Sequence, residues 1–162
     1  MQKFLCNILT LGLLMSVGIV HANEYPNDVP LLEKQTSGGR TPPEWYGWGQ
    51  KVSIYRNGYV IKGRRENGDS PWKYKLVATI TPSVIDELTA LTASLEADTL
   101  EFPNQPECTD LPVTSFQGLN AEGQLVLFAQ QAACRFGILS GFYQAYRLAG
   151  ILSGLEELSN AE

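Results

Sequence analysis

The chain has 162 residues, with 12 Lys or Arg against 17 Asp or Glu, one histidine, three cysteines and two methionines. The acidic balance disfavours a nucleic-acid binder, which carries a strongly basic footprint. About 140 residues follow an apolar start, enough for one hydrophobic core and hardly for two.

Met1 to Ala22 has the pattern of a secretory signal peptide. Lys3 is the positive start, Leu5 to Val20 the apolar stretch and Val20-His21-Ala22 the small-x-small cleavage site. Cleavage there starts the mature chain near Asn23 and removes His21, Met1, Met15 and Cys6. Without histidine there is no Ser-His-Asp triad, no Cys-His pair and no His-ligated zinc. The apolar run is short for a membrane span, which needs about 20 residues. Cys6 lies at its beginning, where it cannot serve as a lipoprotein cysteine. The expectation is a protein secreted across the inner membrane to the periplasm or beyond, with no transmembrane segment once the signal is removed.

Asn23 to Gln50 is rich in Pro, Gly and polar residues and reads as an extended lead, leaving 51–162 as a single domain. The lead ends in Trp45-Tyr46-Gly47-Trp48-Gly49, three large aromatics that need a surface to pack on. Lys51 to Arg56 and Tyr59 to Arg65 flank Asn57-Gly58, the preferred dipeptide of a two-residue type I′ hairpin. That register sets Tyr55 opposite Val60, Ile54 opposite Ile61 and Ser53 opposite Lys62. It therefore predicts Lys51, Tyr55, Lys62 and Arg64 on one face. Trp72 to Ile80 alternates as a third strand, with Lys73 and Lys75 joining that face. Thr81-Pro82 opens a helix to about Ala97, with Val84, Leu88, Leu91 and Leu95 at helical spacing.

Val113 to Leu119 and Gln124 to Gln130 form a second hairpin after Pro112. Ser140 to Leu158 is helical in pattern, with Phe142, Ala145, Ala149 and Leu152 on one stripe. The segment Gly137 to Gly141 recurs as Gly150 to Gly154, and these small residues suggest close approach of the last helix to the sheet. The predicted order is β-β-β-α-β-β-α: an α+β fold with an antiparallel sheet of about five strands and two helices on one face.

Cys108 and Cys134 are the two cysteines of the mature chain. In a secreted protein they are expected to form a disulfide, closing a loop of about 27 residues worth about 3.5 kcal/mol. Their spacing is not the tight C-x-x-C of a catalytic dithiol.

Val52-Ser53-Ile54-Tyr55-Arg56-Asn57-Gly58-Tyr59-Val60, Ile80-Thr81-Pro82 and Thr109-Asp110-Leu111-Pro112 together resemble a family of small bacterial envelope domains of unknown function. Its members show a V-x-I-Y-x-D-G-x-V hairpin, an I-S-P-E-E helix start and a T-D-L-P segment. The likeness covers Val52 to Leu158. Many members carry a C-F-G-x-C-P run before the first strand, where this chain has its Trp-Tyr-Gly-Trp-Gly segment. The resemblance implies an envelope location and no functional residue.

Two surfaces are candidates for binding. Lys51, Lys62, Arg64, Lys73 and Lys75, with Tyr55 among them, would form a basic sheet face for an anionic partner, either an envelope protein or a wall polymer. From Lys51 to Lys75 there are seven basic residues against two acidic ones, whereas Asp86 to Glu162 has two against eleven. Trp45 and Trp48, with Tyr46, Tyr55 and Trp72, could instead hold sugar rings. A third possibility is a carboxylate pair among Glu101, Glu107 and Asp110, the one cluster suited to glycoside hydrolysis. The first reading is a non-catalytic binding domain of inhibitor or immunity type without cofactor or metal. The second is an accessory envelope protein that binds glycan or peptidoglycan.

Overall fold

In the computed structural model, residues 28–38, 47–102, 112–132 and 134–160 are described. The signal-peptide assignment, Trp45, Tyr46, Cys108, Glu107 and Asp110 fall outside these residues. The elements in chain order are β1 (Leu32–Ser37), β2 (Gly49–Ile54), β3 (Tyr59–Arg65), β4 (Lys73–Thr79), α1 (Pro82–Thr92), β5 (Leu100–Glu101), β6 (Val113–Leu119), β7 (Leu125–Ala132), β8 (Arg135–Leu139) and α2 (Ala145–Asn160). Among the described residues all the strands join one antiparallel, 8-stranded sheet in the order β4-β3-β2-β1-β6-β7-β8-β5.

This corrects the expectation of about five strands. The extra strands are β1, β5 and β8. β1 lies within the stretch read as a lead, yet it occupies the middle of the sheet, paired with β2 on one side and β6 on the other. Its sequence Leu-Glu-Lys-Gln-Thr-Ser has one apolar residue and so no apolar alternation. Glu33 and Lys34 are nevertheless largely covered, because each finds an opposite charge or a hydroxyl. β8 takes in Gly137 to Leu139 of the glycine repeat, and the helix expected from Ser140 begins later. The chain instead turns at Gly141, and α2 starts only at Ala145.

The first hairpin differs from expectation by one residue. Ile54 pairs with Val60, Ser53 with Ile61 and Val52 with Lys62. The connection is three residues long, Arg56-Asn57-Gly58, closed by Gly58 N–H to the Tyr55 carbonyl and by Tyr55 N–H to the Tyr59 carbonyl, both at 2.9 Å. Gly58 has φ 87°. A type I turn followed by a left-handed glycine builds this loop, and it suits Asn-Gly as well as the two-residue turn does. Because side chains alternate along a strand, the single step moves every β3 residue to the opposite face from the one predicted.

Both helices pack on the same side of the sheet. Leu32, Lys34, Phe116 and Gly118 share that side by register. Above Gly118 sit Leu95 and Thr92 from the end of α1, close enough that a Cβ there would lie 2.6 Å from Leu95. Lys34 reaches Ser153 and Glu156 of α2 at 3.1 and 2.6 Å. Arg147 and Glu87 tie α2 to α1. Between helices and sheet lies the core: Leu31, Leu32, Val52, Ile54, Val60, Ile85, Leu88, Leu95, Phe128, Leu148 and Leu152, with their neighbours. Phe136, Phe116, Phe128 and Phe142 run in that order through its β6–β8 end, with successive ring centroids 5.9 to 6.3 Å apart.

Thr81 precedes α1 with extended backbone and Pro82 at the first position, as expected, although its hydroxyl makes no cap hydrogen bond. Gly150 and Gly154 face open space, so the repeated glycines of α2 do not bring it close to the sheet. Among the described residues no helix is long and apolar enough to cross a membrane.

Candidate functional site

Strands β1 to β4 carry charge on both faces. On the face away from the helices, the register brings together Glu33 of β1, Lys51 and Ser53 of β2, Gly63 and Arg65 of β3, and Tyr74 of β4. Tyr55 and Trp72 flank them by alternation along β2 and β4. The Ser53 hydroxyl donates to the Glu33 carboxylate at 2.7 Å, and Lys51 Nζ lies 3.5 Å from the same oxygen. Glu33 is 8% exposed and Ser53 1%. A carboxylate so covered is tolerable because a cation and a hydroxyl replace its water.

Lys51 extends over two rings, 5.1 Å from the centroid of Trp72 and 5.4 Å from that of Tyr74. Arg65 lies 5.0 Å from the centroid of Trp72. The two rings are stacked, with centroids 6.4 Å apart and planes 19° apart. Gly63 makes room for this arrangement: a Cβ there would come within 2.9 Å of Lys51 and 3.0 Å of the Tyr74 ring. Burial is the main influence on the nearby Tyr55 hydroxyl and pushes its pKa above the ordinary value. Lys51 and a hydrogen bond with Ser53 oppose that rise, while Glu33 and Tyr74 add to it.

The helix side of β3 and β4 carries a second group. Lys62 pairs directly with Lys75, and Arg64 directly with Lys73. Two like-charge pairs thus face each other across adjacent strands, where such pairs are unfavourable. Arg64, Lys73 and Lys75 are exposed, and Lys62 is half-buried. Lys73 also bonds Glu66 at 2.9 Å, and that hydrogen bond, with the lysine charge, holds the Glu66 carboxyl below its ordinary pKa.

The basic residues predicted to share one face are therefore divided. Lys51 and Tyr55 lie on the helix-free face, and Lys62, Arg64, Lys73 and Lys75 on the other. The one-residue step in the hairpin is the physical cause. Lys51 is also not a free surface charge, because Glu33 and the two rings engage it. Trp48 is half-buried just before β2. Glu33, Arg65 and Tyr74 were absent from the predicted site. The alternation Trp72-Lys73-Tyr74 could have flagged Tyr74, whereas nothing in the lead marked Glu33.

Cys134 sits at the turn between β7 and β8, and its expected partner Cys108 is outside the described residues. Glu101, on β5, accepts a hydrogen bond from Ser140 at 2.6 Å. Searches of protein-family models, curated proteins and solved structures find no match to the chain.

Proposed function

We propose that the protein is a secreted, non-catalytic binding domain of the bacterial envelope, of inhibitor or immunity type. In this reading it docks on an acidic surface of another envelope protein through Lys62, Arg64, Lys73 and Lys75. The observation that carries the reading is the pair of like-charge cross-strand contacts, Lys62 with Lys75 and Arg64 with Lys73. Four cations on neighbouring strands, three of them exposed, present one sign of charge and favour a partner of the opposite sign. The signal-like start supplies the route to the envelope. The proposed disulfide between Cys108 and Cys134 would suit that compartment. A chain without histidine after Ala22 supports binding over catalysis.

The test is capture from envelope extract at low and high salt, with the natural protein beside a variant carrying Arg64→Glu, Lys73→Glu and Lys75→Glu. One envelope protein held in stoichiometric amount, released by salt and lost from the folded variant is the expected result. Equal capture by both forms overturns it.

The stacked Trp72 and Tyr74 favour a second reading, in which the helix-free face binds a glycan. Attachment by stacking would resist salt and fall with Trp72→Ala, leaving the triple charge variant unaffected.

A further inference from the structure

Among the described residues, two buried side-chain nitrogens lack a hydrogen-bond partner, Nε of Arg65 and Nε of Arg135. Arg135 has a contact beyond its place over the Phe102 ring. Arg65 lies against Trp72 and, among the described residues, meets no carboxylate. The charges around it are committed elsewhere. Lys51 lies 3.5 Å from Glu33, and Glu66, the next residue in the chain, bonds Lys73. Arg65 is thus a permanent cation on the helix-free face without an ion pair among the described residues.

The fold holds this cation in place. Arg65 pairs with Gly49 of β2, and Gly49 with Ser37 of β1. A Cβ at Gly49 would lie 3.0 Å from the Trp72 ring and 3.4 Å from Arg65 Nε. The absent side chain lets the indole lie across β2 with the guanidinium against it. Nε is closed off from water, while Arg65 as a whole is half-buried. A guanidinium that has given up part of its water, in a region of lower dielectric, attracts an anion more strongly than one fully in solvent. Its two outer nitrogens form a fork that matches a carboxylate.

Resting on the glycan reading above, we propose that the glycan bound on the helix-free face carries carboxylates, as uronic acids do, and that Arg65 is the residue that reads them. The carboxylate of one sugar sits end-on against the outer nitrogens of Arg65. Charge selects this occupant: among Glu33, Lys51 and Arg65, Lys51 is matched by Glu33 and the charge of Arg65 is left over. The neighbouring side chains suit the hydroxyls of the same sugar. Ser37 and Gln35 of β1 share this face, half-buried and uncharged, so they hydrogen-bond hydroxyls without competing for the carboxylate. The site uses neither the helix-side cations nor Tyr74, and Lys51 keeps its contact with Glu33. Trp72 acts on the carboxylate by backing the guanidinium.

The probes are sodium glucuronate, glucose and sodium acetate, each titrated at neutral pH and low salt into the purified protein made from the full chain. The Arg65 Nε–H and Trp72 indole N–H resonances are followed by NMR. The expected result is that glucuronate shifts both resonances and binds more tightly than glucose or acetate by about fivefold or more. Arg65→Gln should bring glucuronate down to the affinity of glucose. Arg65→Lys, which keeps the charge and loses the fork, should fall between, and the amide spectrum of each variant shows that it is folded. Equal affinity for glucuronate and glucose overturns the role of Arg65 while the glycan reading stands. Equal affinity for glucuronate and acetate makes this a carboxylate site indifferent to sugar and overturns the acidic glycan. No shift with glucuronate overturns the proposal outright. The glycan reading itself falls on a separate result, capture from envelope extract that Trp72→Ala leaves unchanged.

Discussion

The two ends of the sheet solve the problem of burial differently. At the β6–β8 end, phenylalanines from three strands and the approach to α2 interlock beneath the helix, two contacts edge-to-face and one tilted. At the β2–β4 end, Lys51 and Arg65 lie over Trp72, Glu33 is covered with Ser53, and four cations stand across β3 and β4. The first arrangement gains free energy by removing apolar area from water and depends on shape. The second gains less and is sensitive to every partner present, which is the property a surface needs if another molecule is to change its energy. Packed rings therefore dominate one end and charge contacts the other, although Val52, Ile54 and Val60 carry the core beneath β2 and β3 as well; the docking proposal assigns recognition to the charged end.

Phe128→Ala gives the largest expected effect. Phe128 is fully buried and in contact with the rings of Phe116 and Phe142, so removing its ring should cost about 3–5 kcal/mol in urea unfolding. A cost below about 1 kcal/mol would show that the phenylalanine end is not where stability resides.

Arg64→Glu should have the opposite sign. It replaces repulsion across from Lys73 with attraction and should raise stability by about 0.2–1 kcal/mol, while partner capture falls. A destabilised variant would mean that the cations are satisfied within the fold and would remove the basis for separating the two ends.

The smallest effect concerns Tyr55. Its folded pKa lies above the ordinary value, chiefly through burial, so the neutral form is favoured in the folded state. The associated stability is complete below the unfolded pKa of about 10 and is lost as pH rises from there through the folded value. Tyr55→Phe should remove this part of the alkaline decline, read as a shallower fall of unfolding free energy with pH. An unchanged slope would mean that the helix-free face is open to water around this ring.

Much of this molecule could be read from its sequence where one signal dominated. The turn at Asn57-Gly58, the Thr81-Pro82 helix start and the alternation in Val113 to Leu119 each placed an element. β1 escaped because its residues are held by pairing on both sides and by charge contacts, neither of which leaves an apolar period. The candidate surface was half legible. Its residue types were visible in Lys51, Lys62, Arg64, Lys73 and Lys75, but their distribution over two faces depended on one additional loop residue, and Asn-Gly permits both loop lengths. Glu33 became part of the site only because β1 lies beside β2.

The central place of β1 also has a consequence in time. Its β2 partner follows closely in the chain, whereas its β6 partner lies far along it, with Leu32 opposite Gly118. The β1–β4 meander needs only local contacts, while closure onto β6 waits for a long-range encounter, and such encounters set slow folding rates. During that wait the future middle of the sheet is a bare rim, and unlike β4 it carries no row of exposed lysines to repel other chains. The expected outcome is that refolding yield falls as protein concentration rises, read by light scattering on dilution from urea.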